Sequence, residues 1–420
     1  MMGGDSAQDD AIPPPHAGYH EGMGNITDDI RTRFADFDAF PFNEVDALAL
    51  AQLAYVHMPE CVPRHPSRAT VPLAALLRAE DYDDMCGSIW SPAMNVELIR
   101  AMAESPRWRG VRAGGYADVT DEGDALQFSA GVFDLGNGVL VVAFRGTDST
   151  IVGWKEDFMM AFRRPVAAQR SAARYLHEVA SWWRGLMIVV GHSKGGNLAV
   201  YAAAEAPADV QDRIVAVHSF DGPGFDDAYL ASAGFRRIAD RVHKTVPEGS
   251  IIGMLFEGSG AGKAVSCASD AGAGADDTPA DRPGLDVIGS AGMGVMQHFA
   301  LNWQVADGRF VRADGLSASA QYASGVINGW MNRYDDERRR VFIENLFAIL
   351  ESAGYRTFGE LAAHWTQAMP AMIQAARGVD AEERDVMIAV LGGLLSSALK
   401  PGTASAGEPA STDTAHRLAR

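Results

Sequence analysis

The stretch from Leu186 to Glu205 constrains the fold of this chain more than any other. Its first half, Leu186–Val190, is a continuous apolar run containing Ile188, Val189 and Val190. That composition suits a strand buried on both faces in a parallel sheet. Its second half, Asn197–Glu205, is Ala-rich and free of breakers, and predicts a helix. Between them lies Gly191-His192-Ser193-Lys194-Gly195, a match to G-x-S-x-G in the strand–turn–helix context that the motif requires.

A strand that reverses this sharply into a helix places Ser193 in a strained backbone conformation, its hydroxyl projecting above the sheet. Gly191 and Gly195 leave room for the two backbones to pass closely, and Gly196 is a further small residue at the contact. The Lys194 N–H then sits at a helix N-terminus, where unpaired N–H groups favour a developing oxyanion. Ser193 is thus a candidate nucleophile and Lys194 a candidate oxyanion donor. The plainer alternative is a Gly-rich turn with an incidental serine.

A chain of 420 residues holds one large domain, or one domain plus a smaller one. Its net charge of −18 argues against nucleic acid or an anionic membrane surface as the main partner. Cys61, Cys86 and Cys267 are widely spaced and cannot all pair, which points to a reduced, cytoplasmic setting. The acidic N-terminus lacks the apolar core of a secretory signal. The apolar stretch Val386–Leu399 is shorter than the ~20 residues a membrane helix needs, so it predicts a packed helix and no stable membrane insertion.

Residues 1–25, with Pro13, Pro14 and Pro15, predict a disordered tail. Asn43 is a plausible cap for an amphipathic helix with Val45, Leu48, Ala49, Leu53 and Val56 at helical spacing. Val71–Arg78 and Val96–Ala103 predict further helices. Leu126, Phe128, Ala130 and Val132 alternate with Gln127, Ser129 and Gly131, and Gly136-Asn137-Gly138 then marks a hairpin turn into the apolar strand Val139–Phe144. That strand runs into Arg145-Gly146-Thr147-Asp148. Acyl transfer needs a second oxyanion donor, which usually comes from a loop upstream of the nucleophile, and Thr147 offers both an N–H and a hydroxyl. The competing reading is a surface turn in which Arg145 pairs with Asp148 or Asp157.

Gln169–Trp183 predicts a helix, and Ile214–Phe220 a buried strand ending in Asp221-Gly222-Pro223-Gly224. Asp221 therefore lies at the strand edge where open α/β sheets bind ligands. Val242–Val246 and Ser250–Phe256 read as the next strand and its continuation. His298 follows Ser193 and Asp221 in the chain order Ser, Asp, His that accompanies this kind of turn. His192 and His218 have structural readings, His218 as a satisfied core histidine. Helices are predicted at Gln321–Tyr334, Asp335–Ala353, Thr357–Ala376 and Ala381–Leu399. The resulting plan is a tail at 1–25, an α/β domain at 26–315 with a Gly/Ala-rich flexible insertion at 258–286, a helical extension at 316–400 and a tail at 401–420.

Six motifs in this order carry a resemblance: the start of the Asn43 helix, Phe144–Asp148, Gly191–Ala199, Asp221–Phe225, Val246–Leu255 and Gln297-His298. Over residues 40–400 the chain resembles the bacterial Mbeg-like family, which is related to class 3 lipases. The resemblance implies an α/β-hydrolase fold: a mostly parallel central sheet flanked by helices, with helical N-terminal and C-terminal extensions. It implies Ser193 as nucleophile, His298 as general base, and Thr147 with the Lys194 N–H as the oxyanion hole. In class 3 lipases the acid lies on a later strand, in a stretch that here reads His243–Ser250 and has no aspartate. Asp221 is then the expected acid and Glu248 the reserve. After His298, where the family tends to carry an acidic residue, this chain has Phe299.

The expected function is a serine esterase or lipase-like hydrolase, acting on small-molecule esters or acyl lipids by two-step acyl transfer, with no metal or organic cofactor. The alternative is a catalytically inactive scaffold of the same fold that binds a protein partner.

Overall fold

The computed structural model describes residues 23–256 and 285–379, apart from positions 122, 124, 125, 149, 150, 161, 293, 358, 359, 362 and 363. Most of both predicted tails, the 258–284 part of the insertion, Cys267 and the Ala381–Leu399 helix lie outside the described residues. The chain divides into two compact units, residues 1–344 and 345–420. In the second, a helix spans Trp365–Ala375 within the stretch predicted from Thr357, and Leu346, Phe347, Leu350 and Leu361 are buried.

The first unit is built on eight strands that pair in chain order: β1 (Thr70–Pro72), β2 (Arg112–Asp121), β3 (Leu126–Asp134), β4 (Val139–Phe144), β5 (Leu186–His192), β6 (Ile214–Phe220), β7 (Val242–Pro247) and β8 (Leu285–Ile288). The pairs from β1 to β4 are antiparallel, and those from β4 to β8 are parallel. Its helices begin with α1 (Ile26–Thr32), α2 (Glu44–Leu53), α3 (Tyr82–Cys86), α4 (Pro92–Glu104), α5 (Ile151–Met159), α6 (Ala167–Trp182) and α7 (Lys194–Ala204).

Alternation along β5 explains the layering. Ile188 and Val190 join the core under α2 and α4, whereas Met187 and Val189 join the core under α6 and α7. Each such side chain, buried fully, contributes roughly 1.5–3 kcal/mol. A mostly parallel sheet covered on both faces by helices, with a sharp strand-to-helix turn after β5, is the α/β-hydrolase architecture.

Several expectations change. Val71 and Pro72 belong to β1, which pairs with β2, and are followed by a 3-10 turn at Leu73–Leu76. The helix capped by Asn43 is not amphipathic: every residue from Val45 to Leu53 is buried. Its one buried carboxylate, Asp46, is held by Arg107 at 2.6 Å and Arg33 at 2.9 Å. Both strands of the hairpin are covered on both faces, so β3 is buried almost throughout. Ser250–Phe256 is not a strand continuation but contains a 3-10 turn, Ile252–Met254. Residues 285 and 286, assigned to the insertion, pair with β7 as the start of β8. Among the described residues, no helix is long and apolar enough to cross a membrane.

Candidate active site

The parallel register brings the C-terminal ends of β4 to β7 together. Phe144 pairs with Gly191, His192 with Phe220, and Phe220 with Thr245. Ser193 leaves β5 with φ 58° and ψ −133° and becomes the N-cap of α7. Such a conformation costs of order 1–3 kcal/mol and persists only where the surroundings enforce it. Here they do. The Ser193 N–H donates to the Phe220 carbonyl at 2.8 Å. A Cβ on Gly191 would collide with the Gly195 carbonyl, and one on Gly195 with the Phe144 carbonyl. The strand and helix can pass only because both residues lack a side chain.

Asp221, one residue beyond the Phe220 anchor, also has a positive φ, 48°. Its carboxylate is fully buried. Oδ1 accepts the Ser250 hydroxyl and the Gly253 N–H, the latter at 3.1 Å. The 3-10 turn at Ile252–Met254 thus wraps a buried anion and supplies donors to it. Oδ2 accepts the His298 Nδ1–H at 2.6 Å. A carboxylate only accepts, so Nδ1 carries a proton, which fixes the tautomer of the neutral ring with Nε2 as the acceptor.

His298 ends a 3-10 turn, Gly294–His298, that is pinned on several sides. Gln297 accepts the Gly249 N–H at 2.7 Å through Oε1, and its carbonyl accepts the Trp303 Nε1–H at 2.8 Å. The His298 carbonyl accepts from His192 Nε2 at 2.7 Å, and the two imidazole centroids lie 4.7 Å apart. His298 is therefore held beside the residue preceding Ser193. Ser193 Oγ makes no hydrogen bond to His298 among the described residues.

His192 is itself defined. Burial pulls its pKa down to about 3, with the neighbouring His298 lowering it further, so the ring is neutral. Nε2 must be the donor, and Nδ1 accepts from the Tyr55 hydroxyl at 3.0 Å.

Thr147 lies in the loop after β4 and is buried. Its hydroxyl donates to Asp157 Oδ2 at 2.5 Å, leaving its N–H as the main-chain group of interest. The Lys194 N–H lies at the first position of α7. Arg145 pairs with Asp118, at 3.1 Å. Glu248 spends its main chain on Ile288 and Ser317, and its carboxylate makes no hydrogen bond to His298. Phe299 packs edge-on against Trp90, with centroids 5.2 Å apart.

A small apolar depression of about 20 Å³ lies between Asp157 and Pro223, lined by Trp154, Phe158, Ile252, Leu255 and Phe256. The arrangement has what acyl transfer needs: a serine on a strained turn, an imidazole oriented by a buried carboxylate, and N–H groups at a helix start.

Sequence reasoning placed Ser193, His298, Asp221, Thr147 and Lys194 here. It passed over Tyr55, Gln127, Glu156 and Ser250. Glu156 carries a weak signal as a polar residue flanking the candidate loop; Gln127 and Tyr55 carry none, because only the fold brings the start of β3 and the turn after α2 to the site.

The Mbeg1-like family model matches residues 102–274 and 280–348, more than half of the chain. The chain belongs to the Mbeg1-like family. Among solved structures, this Mbeg1-like protein is similar to the M37 lipase, at 14% identity and a TM-score of 0.33, over 51% of this chain and 70% of that one. It is also similar to the Lip2 lipase of Yarrowia lipolytica, at 11% identity and a TM-score of 0.31, over 66% of this chain and 87% of that one. Likeness at this level bears on neither reaction nor substrate. No curated protein matches the Mbeg1-like chain.

Proposed function

We propose that this Mbeg1-like protein is a serine hydrolase that cleaves carboxylic esters by two-step acyl transfer through Ser193. The observation that carries the reading is the buried Asp221–His298 hydrogen bond beside the strained Ser193 turn. His298 Nε2 removes the Ser193 proton as Oγ attacks the ester carbonyl. The oxyanion is met by the N–H groups of Lys194 and Thr147. His298 then gives its proton to the leaving alcohol, and water repeats the sequence to free the acid. Asp221, and not Glu248, holds the imidazole tautomer and stabilises the imidazolium.

The apolar side chains beside Asp157, Trp154, Phe158, Ile252 and Leu255, suit contact with a hydrocarbon group on the substrate, so acyl lipids are among the candidates. The hydrolase domain is assigned to 26–315, the helical extension to 316–400, and the setting to the cytoplasm. A panel of p-nitrophenyl esters of rising chain length tests the reading. Turnover that Ser193→Ala abolishes is the expected result. Absence of turnover by folded wild-type protein across the panel, with and without detergent, would overturn it.

A further inference from the structure

The acyl-transfer scheme uses only the backbone N–H of Lys194, yet its ammonium is wholly enclosed beneath the site. A buried cation needs partners of good geometry. Nζ donates to the Gln127 carbonyl at 2.9 Å and to Glu156 Oε2 at 3.0 Å, and lies 3.7 Å from Asp157 Oδ1.

Two of these partners lead to the loop that carries Thr147. Asp157 Oδ2 accepts the Thr147 hydroxyl, and Gln127 Oε1 accepts the Asp148 N–H at 3.2 Å. Glu156 ties the group to the scaffold by accepting the N–H groups of Gln127, at 3.1 Å, and Ala168, at 2.8 Å. The ammonium therefore joins β3, α5 and the Thr147–Asp148 loop to the first residue of α7.

We propose that the Lys194 side chain is a positioning residue of the oxyanion hole, clamping the Thr147–Asp148 loop to the nucleophile turn through Gln127, Glu156 and Asp157. For its catalytic consequence this rests on the hydrolase reading. The two N–H groups that would meet the oxyanion belong to separate elements, α7 and the loop after β4. A misplacement of about 1 Å between such elements can cost ~100-fold in rate. The one residue supplies a donor through its backbone and fixes the other through its side chain. Lysine suits the task because its ammonium presents three donors on a flexible stem.

The charges around the clamp agree. Two carboxylates face one ammonium, and Tyr55 in the turn after α2, Arg145 and Asp148 on the loop, and His298 are the other polar groups near them. Burial pushes the Asp157 carboxyl up to about 7, against the pull of Lys194 and the Thr147 hydrogen bond. Without Lys194, Asp157 keeps its proton to higher pH and no longer accepts from Thr147 as an anion.

The test compares wild type with Lys194→Met and with Lys194→Met/Glu156→Gln. The single variant strands the Glu156 charge and melts lower; the double variant removes both charges and regains stability. Hydrogen exchange of the 145–148 amides is read together with kcat, KM and the pH profile on p-nitrophenyl butyrate. In the double variant we expect loop exchange and kcat each to change by about tenfold or more, faster and lower respectively, with KM within about twofold. The acid limb of its kcat profile moves to higher pH. A double variant that melts like wild type, keeps slow loop exchange and keeps wild-type kcat would overturn the proposal. If wild type hydrolyses nothing, the hydrolase reading fails, and loop exchange alone still decides: fast exchange in the double variant supports the clamp, slow exchange overturns it.

Discussion

His298 Nδ1 and the Asp221 carboxylate meet at 2.6 Å although 77 residues of chain separate them. The meeting is enforced from both sides: β6 leads directly into the buried, positive-φ Asp221, and the His298 turn is tied down through Gln297 and the His298 carbonyl.

Asp221→Asn is expected to lower kcat by on the order of 10⁴, because an amide no longer holds the imidazolium and its tautomer. Glu248→Gln, which alters no hydrogen bond to His298, should stay within about twofold of wild type. Steady-state kinetics on one aryl ester separates the two. The reverse ranking would transfer the acid role to Glu248.

Ser250→Ala removes one of the two donors to Asp221 Oδ1 and leaves the Gly253 N–H in place. A lost hydrogen bond to a charged group of roughly 1.5–3 kcal/mol predicts a fall in kcat of about 10-fold or more, with KM unchanged. In an Asp221→Asn background the same substitution should add almost nothing, since the two act as a unit. Additive losses would show that Ser250 acts elsewhere.

Tyr55→Phe leaves His192 Nδ1 buried without its donor. The expected cost is about 1–3 kcal/mol of stability by urea unfolding. A several-fold loss of kcat should accompany it, because His192 carries the His298 carbonyl. Unchanged stability would mean that the hydroxyl holds nothing.

Acid sensitivity has a named source away from the site. Burial, with His243 stacked at 5.1 Å, pulls the His218 pKa down to about 3, below its ordinary value near 6.5. As pH falls below about 6.5 the unfolded chain takes up a proton that the folded one refuses until about 3. The stability associated with neutral His218 is therefore whole above that window and is lost on descending through it. At pH 5 the loss is roughly 2 kcal/mol, and His218→Phe should remove it from unfolding curves compared at pH 7 and pH 5. Parallel curves for variant and wild type would contradict this.

The elbow was legible because its signals are local: an apolar run, glycines at set positions and an Ala-rich helix share one short stretch. What escaped is set by distant partners. The α2 helix looked amphipathic because Asp46 reads as a solvent-facing residue, but Arg107, 61 residues away, draws it into the core. Gln127 fell on the polar side of an alternating strand, and α5 covers that side with a carboxylate aimed at it. Ser250–Phe256 has the composition of a strand, yet the buried Asp221 carboxylate needs donors, and a turn supplies them where a strand would not. The network under Lys194 joins three such non-local choices, so no single window of sequence contains it.

The most direct measurement is labelling of purified protein by a fluorophosphonate probe, with Ser193→Ala and His298→Ala alongside. An activated Ser193 predicts strong labelling of wild type, none in Ser193→Ala, and a large loss in His298→Ala. Well-folded wild type that stays unlabelled with detergent present, or label that survives Ser193→Ala, would contradict the account.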